Sequence, residues 1–381
     1  MKFVIAPDSF KGSLTAKEVA DAIQNGIQKV FPTANFVKVP MADGGEGTVQ
    51  SLVDASQGTL ITKKVTGPLG KQVNATYGLL GDGNTAVIEM AEASGIGYVT
   101  EQTRDPLRAT TFGTGELILD ALDHQVSKII LGIGGSATND GGAGMAQALG
   151  IKLLDVNGQP LQFGGGALQK LHTIDLSQRD PRIAATNILI ASDVVNPLVG
   201  PQGASAVFGP PQKGATPAMV AQLDHNLAHY ARIVQEATGK DLAAFPGAGA
   251  AGGLGAGLLA FTNAKLKKGI EIVVDYTHLK EKAVDADFVF TGEGGIDFQT
   301  QYGKTPFGVA LATRTVAPNA PVIALAGNVG EKVDVLYQKG IFTAIFATVS
   351  GAKSLSAAFA DGRADIAQTA ENIARLIKAT H

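Results

Sequence analysis

The sequence predicts an α/β fold of two domains, one of which contains a parallel sheet covered by helices on both faces. The chain has 381 residues, more than one ordinary hydrophobic core holds, so two domains are expected. Several segments repeat one pattern: a β-branched apolar run, a turn rich in Gly, Asp or Asn, and a helical stretch. Buried strands that alternate with helices indicate a parallel sheet. A stretch at 58–104 lacks these helices and indicates antiparallel hairpins.

The alternating pattern can be followed along the chain. A strand at Phe3–Ala6 is followed by a turn and by a helix around Thr15–Phe31. Thr15 suits the N-cap position of this helix, and Glu18, three residues later, completes a capping box. Further buried strands are predicted before glycine-rich or acidic turns, at 128–133 (KIILGI), 187–191 (NILIA), 287–290 (DFVF) and 321–325 (PVIAL).

The hairpin segment predicts a second domain inserted into the first. Its strands are expected at 58–65, 72–80 and 86–90, joined by the turn signals GPLG and GDGN. We assign residues 1–60, 105–152 and 270–381 to a Rossmann-like three-layer α/β domain. Residues 61–104 and 153–269 are assigned to the inserted domain, which has a mixed sheet.

Composition argues against several classes of protein. The formal net charge is −3 and the basic residues are scattered, whereas nucleic-acid binding needs a basic face. There are no cysteines, and the six histidines show no HxH or HExxH spacing, which argues against disulfides and against thiolate or histidine metal sites. The longest weakly polar run, 246–261, is shorter than a bilayer-spanning helix of roughly 20 residues. We expect a cytoplasmic protein without membrane contact, in which this run forms a loop and a closely packed helix.

Glycine is the unusual component. The chain has 48 glycines, about 13% against a usual share of about 7%. They cluster at 44–47, 132–144, 247–257 and 292–295. Because glycine costs backbone entropy, such clusters after apolar runs suggest tight turns whose amides face a ligand.

Two turns near the N-terminus carry charged side chains. In the turn 8–13 (DSFKGS), Lys11 can hold a carboxylate or phosphate, and Ser9 can donate a hydrogen bond. The turn 43–48 (DGGEGT) places Asp43 and Glu46 among three glycines. Two acids repel bare phosphate, so this turn fits a bound cation or hydroxyl groups of a substrate.

Two later turns are better suited to phosphate. In 132–142 (GIGGSATNDGG), Gly134, Gly135 and Ser136 can expose successive amides to an anion. The turn 291–297 (TGEGGID) again combines glycine with acid and is followed by Gly303-Lys304-Thr305. That tripeptide resembles the end of a P-loop, but the first glycine of the motif would fall at Phe298, so the motif fails.

Other patterns leave alternatives open. Gly132-x-Gly134-x-x-Ala137 fits a loose dinucleotide fingerprint, which favours an NAD(P)-dependent oxidoreductase of a small hydroxy acid as a second hypothesis. A non-catalytic carboxylate-binding module is a third. Asp193, directly after the strand 187–191, is well placed for catalysis. The segment 208–214 (FGPPQKG) is predicted to be a rigid turn that presents Lys213.

Six segments together resemble the bacterial-type glycerate kinase family (glycerate kinase type 1), nearly from end to end. They are 6–16 (APDSFKGSLTA), 40–48 (PMADGGEGT), 132–150 (GIGGSATNDGGAGMAQALG), 191–200 (ASDVVNPLVG), 246–257 (PGAGAAGGLGAG) and 291–310 (TGEGGIDFQTQYGKTPFGVA). The resemblance implies transfer of the ATP γ-phosphoryl group to a hydroxyl of D-glycerate with Mg²⁺, in a cleft between two α/β domains. We favour 2-phosphoglycerate over 3-phosphoglycerate as the product, and monomer and homodimer are both open.

The resemblance and the requirements of phosphoryl transfer assign hypothetical roles to the polar turns. Asp193 would be the general base, and Lys11 would hold the glycerate carboxylate or the transferred phosphate. The other candidates fall into three groups: for the substrate, Asp8, Ser9, Asp43, Glu46, Asn139 and Asp140; for the nucleotide, Gly134, Gly135, Ser136, Thr138, Lys213, Gly292, Glu293 and Gly294; and for the metal, Asp297. Members of the family often carry Arg or Lys at the position of Gly295, and usually one proline where this chain has Pro210-Pro211.

Overall fold

The computed structural model describes residues 1–45, 47–338 and 340–380. The chain forms two compact units, Met1–Gln57 with Lys268–His381, and Gly58–Lys267. The strands are β1 Lys2–Ile5, β2 Asn35–Lys38, β3 Thr59–Thr66, β4 Gln72–Leu79, β5 Thr85–Glu89, β6 Lys128–Gly132, β7 Lys152–Leu154, β8 Thr173–Asp175, β9 Asn187–Ala191, β10 Lys265–Lys267, β11 Phe288–Ile296, β12 Val322–Val329 and β13 Ala344–Ala347. The α-helices are α1 Ala16–Gln28, α2 Thr48–Ser56, α3 Ala91–Ser94, α4 Phe112–Asp123, α5 Ala143–Ala148, α6 Ala204–Phe208, α7 Pro217–Thr238, α8 Ala250–Phe261, α9 Gly269–Tyr276, α10 Leu279–Ala283, α11 Thr305–Val316, α12 Asp334–Gln338 and α13 Leu355–Thr380. Short helical turns lie at Ile96–Tyr98, Gly165–Lys170, Pro181–Ala184, Gly209–Lys213 and Phe298–Tyr302.

The first unit is built on a five-stranded parallel sheet in the order β13-β12-β11-β1-β2. The chain proceeds from β1 to β2 in one direction and from β11 to β13 in the other, so the strand order reverses between β1 and β11. In open α/β sheets, ligands bind at the carboxyl ends of the strands at such a reversal. The segments that follow β1 and β11 therefore mark the expected site in this unit.

Helices α1 and α13 pack on one face of this sheet. Their apolar residues form one core with Phe3, Ile5 and Phe290, and the ring of Phe3 stacks on that of Phe288 at 5.6 Å between centroids. The predicted capping box is confirmed at the start of α1. The Glu18 N–H donates to Thr15 Oγ1 at 3.3 Å, and the Thr15 N–H donates to a Glu18 carboxylate oxygen at 3.0 Å.

The second unit contains a six-stranded mixed sheet in the order β10-β9-β6-β5-β4-β3. The strands β3, β4 and β5 are antiparallel neighbours, as the hairpin signals predicted, whereas β5, β6, β9 and β10 run parallel. The predicted strand 187–191 is confirmed as β9. The α/β fold class, with one parallel and one mixed sheet, agrees with the sequence.

The domain boundaries differ from those expected at one segment. Residues 105–152, assigned from sequence to the Rossmann-like domain, lie in the second unit. The reason is strand pairing: β6 pairs with β5 on one side and with β9 on the other. The second unit is therefore one continuous insertion, 58–267.

Two strands of the first unit are longer than predicted. The turn expected at 291–297 is largely strand, because β11 continues to Ile296 in register with β12. β12 likewise continues to Val329 instead of ending at Leu325. Among the described residues, no helix combines the length and the low polarity that crossing a bilayer requires.

Candidate active site

A cavity of about 860 Å³ lies in the first unit at the carboxyl ends of β1, β11 and β12. This is the place where the strand order of the parallel sheet reverses. Its charged lining comes from segments far apart in sequence: Asp8, Lys11, Asp43, Glu293, Asp297, Lys304, Lys353 and Asp365. The wall also includes apolar side chains of α13, so the cavity has a charged and an apolar part.

Asp8 is the most buried carboxylate of the cavity, with 5% of its surface exposed. Its Oδ1 accepts hydrogen bonds from the N–H (2.6 Å) and the hydroxyl (3.2 Å) of Ser9, and its Oδ2 accepts one from Thr305 Oγ1 (2.5 Å). Burial raises the pKa of Asp8 to about 6; the Thr305 hydrogen bond opposes this shift and the charge of Asp43 adds to it. A cation bound beside Asp8 would therefore stabilise its ionised form.

Glu293 is the second carboxylate of the cavity. Its Oε1 accepts a hydrogen bond from Thr300 Oγ1 at 3.2 Å and lies 3.7 Å from the ammonium of Lys304. Burial raises its pKa to about 7, Lys304 opposes the shift, and the charge of Asp8 adds to it. Two largely buried carboxylates of raised pKa, with the charge of Asp8 adding to the shift of Glu293, indicate a place for positive charge.

Five more predicted residues line the same cavity: Ser9, Lys11, Asp43, Gly294 and Asp297. Lys11 is exposed, and among the described residues it forms no ion pair. Asp297 caps the helical turn 298–302, where its Oδ1 accepts the Gln299 N–H at 2.7 Å. Glu46, also predicted to bind substrate, lies outside the described residues.

The glycines of β11 do not form the predicted amide-lined turn. Gly292 and Gly294 lie within the strand, where the Gly292 carbonyl accepts the Asp8 N–H at 2.8 Å. A Cβ atom on Gly292 would lie 2.2 Å from the Leu325 carbonyl oxygen. Glycine here permits close approach of β11 to its neighbours, and Gly294 is part of the cavity wall.

The glycine loop after β6 lies in the second unit. Gly134 and Gly135 are exposed, and within the described part of the chain their N–H groups donate no backbone hydrogen bond. Gly135 has a φ of +70°, which favours glycine. The carbonyl of Gly135 and the N–H of Ala137 pair with the segment 94–96, which holds the loop in place.

The residues that follow this loop are buried. Thr138, Asn139 and Asp140 are 0% exposed, although the sequence predicted that they contact ligands. Asp140 accepts hydrogen bonds from the N–H groups of Thr111 (2.8 Å), Gly142 (3.1 Å) and Gly144 (3.2 Å), so its carboxylate is used by the fold. Asn139 donates to Ser205 Oγ at 2.9 Å.

Lys213 is not presented to solvent by its turn. The segment 209–213 is a π-helical turn, and Lys213 is 1% exposed. Its ammonium donates to the Thr138 carbonyl at 2.5 Å. Burial lowers the pKa of Lys213 to about 7, and the Asp140 carboxylate opposes this shift. The prediction of an accessible lysine is wrong because the π-helical turn buries the Lys213 side chain against the Thr138 carbonyl.

Asp193 is exposed and lies two residues after β9. Because β6 and β9 are parallel neighbours, Asp193 and the exposed Gly134–Gly135 segment follow the same edge of the second sheet. The sequence thus placed Asp193 correctly at a strand end.

Two residues that were considered from sequence only as part of a P-loop contribute to the site: Lys304 lines the cavity, and the buried Thr305 donates a hydrogen bond to Asp8. Lys304 is the N-cap residue of α11, and Thr305 is its first residue. Lys304 contacts Glu293 within the segment that joins β11 to α11, whereas the contact of Thr305 with Asp8 depends on the pairing of β1 with β11. A lysine and a threonine at the start of a helix, directly after a glycine, were the available signal.

The dinucleotide fingerprint is not borne out. The segment between β6 and α5 runs from 133 to 142, and α5 begins only at Ala143 after Gly142. A nicotinamide-binding turn leads directly into its helix. The oxidoreductase hypothesis therefore loses its sequence support.

Comparison with known proteins identifies the family. The model of the glycerate kinase family matches residues 3–378. A glycerate kinase of Halalkalibacterium halodurans is 55% identical over 97% of both chains. The glycerate 2-kinase of Escherichia coli K12 is 52% identical over 98% of this chain and 97% of its own length.

A solved structure gives the same result. The crystal structure of the Salmonella typhimurium LT2 chain described as glycerate kinase 2 superposes with a TM-score of 0.92 at 49% identity, over 100% of this chain and 99% of the other. Sequence and fold agree over the whole length. The chain is therefore an enzyme that belongs to the glycerate kinase family.

Proposed function

We propose that this enzyme transfers the γ-phosphoryl group of ATP to D-glycerate in the presence of Mg²⁺, yielding 2-phosphoglycerate and ADP. The observation that carries the ATP and Mg²⁺ part is the first-unit cavity at the strand-order reversal. It combines carboxylates of raised pKa with Lys11 and Lys304. A metal–phosphate group needs oxygen ligands for the ion and cations for the phosphate oxygens.

The donor set fits Mg²⁺. Among residues 1–45, 47–338 and 340–380, no three acidic or histidine side chains converge as a complete metal cage. Mg²⁺ usually takes one or two protein carboxylates and leaves its other positions to phosphates and water. Asp8 and Glu293 would be these two carboxylates, and Asp297, which lines the same cavity, would contact the ion through one of its bound waters. Bound there, Mg²⁺ would neutralise charge on the phosphate oxygens.

Lysines and amides would bind the anionic groups. Lys11 and Lys304 line the cavity beside the carboxylates and would contact the transferred phosphate or the glycerate carboxylate. The exposed N–H groups of Gly134 and Gly135 are suited to an anion, as expected from sequence. Lys213 and Asp140 would act indirectly, by holding the chain directly after this loop.

Asp193 remains the proposed general base. Its exposed carboxylate lies at the carboxyl edge of the second sheet, where it would accept the proton of the attacking glycerate hydroxyl. Asp43 would hydrogen-bond a glycerate hydroxyl. The name of the Escherichia coli relative supports the 2-hydroxyl as acceptor. The cytoplasmic location and the homodimer stay predictions.

A coupled assay tests this proposal. ADP release is measured with D-glycerate, ATP and Mg²⁺, and each component is omitted in turn; the phosphoglycerate isomer is then identified by NMR. We expect turnover only when all three are present and a 2-phosphoglycerate product. Absence of ADP release would contradict the use of ATP, and a 3-phosphoglycerate product would contradict the regiochemistry alone.

A further inference from the structure

One part of the first-unit cavity is not explained by phosphate, metal or glycerate. Leu355, Ala358 and Phe359, all on α13, line it. Leu355 is 70% exposed and Phe359 is 42% exposed. Large apolar side chains that face a cavity lose water contact only when a ligand with apolar surface binds. Glycerate, with three carbons and a carboxylate, offers no such surface.

The polar groups beside this apolar wall are already paired with one another. Lys353 contacts Asp361 at 2.9 Å and Asp365 at 2.7 Å, and Ser350 Oγ donates to Asp365 at 2.7 Å. Two carboxylates hold the single ammonium of Lys353, and the net negative charge that remains disfavours a phosphate here, so this part of the cavity suits a group without negative charge. The carboxylates of raised pKa, Asp8 and Glu293, lie in the other part.

The apolar wall is fixed relative to the charged loop. Ser13 Oγ donates to the Phe359 carbonyl at 2.9 Å. Gly12, with a φ of +79°, allows close contact, since a Cβ there would lie 3.3 Å from the Phe359 ring. The turn 8–13 therefore contacts both parts of the cavity. Asp8 and Lys11 lie in the charged part, and Gly12 and Ser13 contact Phe359.

We propose that Phe359 and Leu355 form the binding site for the purine base of the nucleotide. This inference rests on the proposed use of ATP. It names the residues that would favour a nucleoside triphosphate over inorganic polyphosphate. A flat, uncharged ring placed against an aromatic side chain gains stacking and apolar burial. The triphosphate then extends towards Lys11, Lys304 and the two carboxylates.

The test separates contacts to the base from contacts to the phosphates. Dissociation constants of Mg·ADP and of inorganic tripolyphosphate with Mg²⁺ are measured calorimetrically for the wild type, Phe359→Ala and Leu355→Ala. We expect Phe359→Ala to weaken ADP binding about tenfold or more, Leu355→Ala to weaken it less, and neither to change tripolyphosphate binding. The matched control is Leu376→Ala, because Leu376 is 62% exposed on the same helix and is not part of the cavity wall.

A second variant tests the purine site while an aromatic ring is kept at position 359. The chain contains no tryptophan, so Phe359→Trp introduces a single tryptophan, which is excited selectively at wavelengths that the tyrosines do not absorb. ADP should change its emission and retain its affinity, while tripolyphosphate should leave the emission unchanged. Wild-type ADP affinity in Phe359→Ala, or equal loss of both ligands, would overturn the purine site. If the wild type bound neither ADP nor ATP, the proposed function itself would fail, and the purine site with it.

Discussion

Asp8 and Glu293 are held in the first unit at a cost to its stability. Burial raises the pKa of Asp8 to about 6 and that of Glu293 to about 7, and the charge of Asp8 adds to the shift of Glu293. A carboxyl with a raised folded-state pKa stabilises the fold below its unfolded pKa, and this contribution is lost as pH rises through the folded pKa. At pH 8 the charged pair therefore destabilises the protein unless a cation is bound.

Glu293→Gln should increase the free energy of unfolding of the ligand-free protein at pH 8, by about 1–3 kcal/mol. The increase should shrink as pH falls below 7 and vanish near pH 4, below the ordinary glutamate pKa of 4.5, where Glu293 is protonated in both the folded and the unfolded wild type. Urea unfolding at both pH values measures this, and the exposed Glu331→Gln variant is the control. The same substitution should weaken Mg·ADP binding; equal stability at both pH values would contradict the assigned pKa.

Asp193→Asn should lower kcat by about 10²–10⁴-fold, because the amide cannot accept the proton of the substrate hydroxyl. Binding of ATP, measured by calorimetry, should remain nearly unchanged. Asp241→Asn, at an exposed aspartate of the same unit, should leave both quantities unaltered. Near-normal turnover in Asp193→Asn would remove the base assignment.

The sequence identifies polar residues that directly follow a strand, but not the residues from distant parts of the chain that contact them. Asp8, Lys11 and Glu293 were recognised because charge followed an apolar run. Thr305 was not, because its hydrogen bond to Asp8 spans 297 positions. Asp140 and Lys213 were taken for ligand contacts because sequence does not show which polar groups the fold itself satisfies.

At the scale of elements, the start of α8 has an unusual backbone conformation. Ala251, Gly252 and Gly253 have φ values of 54°, 67° and 90°, in the left-handed region. The Gly252 carbonyl accepts the Gly141 N–H at 3.0 Å, so this left-handed stretch holds the loop after β6. The sequence predicted a loop and a closely packed helix here, and the structure confirms both.

Gly253→Ala should destabilise the protein by about 3 kcal/mol, since the left-handed backbone penalty adds to overpacking. The new Cβ would lie 2.8 Å from Gly141 Cα and from a Leu198 methyl group. Gly70→Ala is the matched control: its φ is +81° and no atom lies within 4 Å of the added Cβ, so only about 1 kcal/mol is expected. Urea unfolding of both variants checks this; equal losses would show that packing at Gly253 is unimportant.

At the scale of the whole molecule, each unit has its own core. Two clusters, which include Ile88, Leu131 and Leu254 in one and Leu227 and Phe261 in the other, lie entirely within residues 58–267. The core around Phe3 and Ile373 lies entirely in the first unit. A continuous segment that contains its own hydrophobic core can fold alone.

The isolated segment 58–267 should therefore fold and unfold cooperatively in urea. The comparison is the segment 61–104 joined to 153–269, which follows the boundaries expected from sequence and lacks β6. Without β6, the strands β5 and β9 lose their common neighbour, so this second segment should not fold. Cooperative unfolding of the second segment alone would contradict the observed boundaries.

The sequence by itself determined the elements of this protein and the class of chemistry in its turns. Local signals suffice for these: the capping box of α1, the apolar run of β9, and the charged residues at strand ends. Only the tertiary structure decided which strands are neighbours, because pairing depends on crossovers over long stretches of chain. Pairing placed β6 in the second unit, and it joined Asp8, Glu293 and Thr305 between β1 and β11.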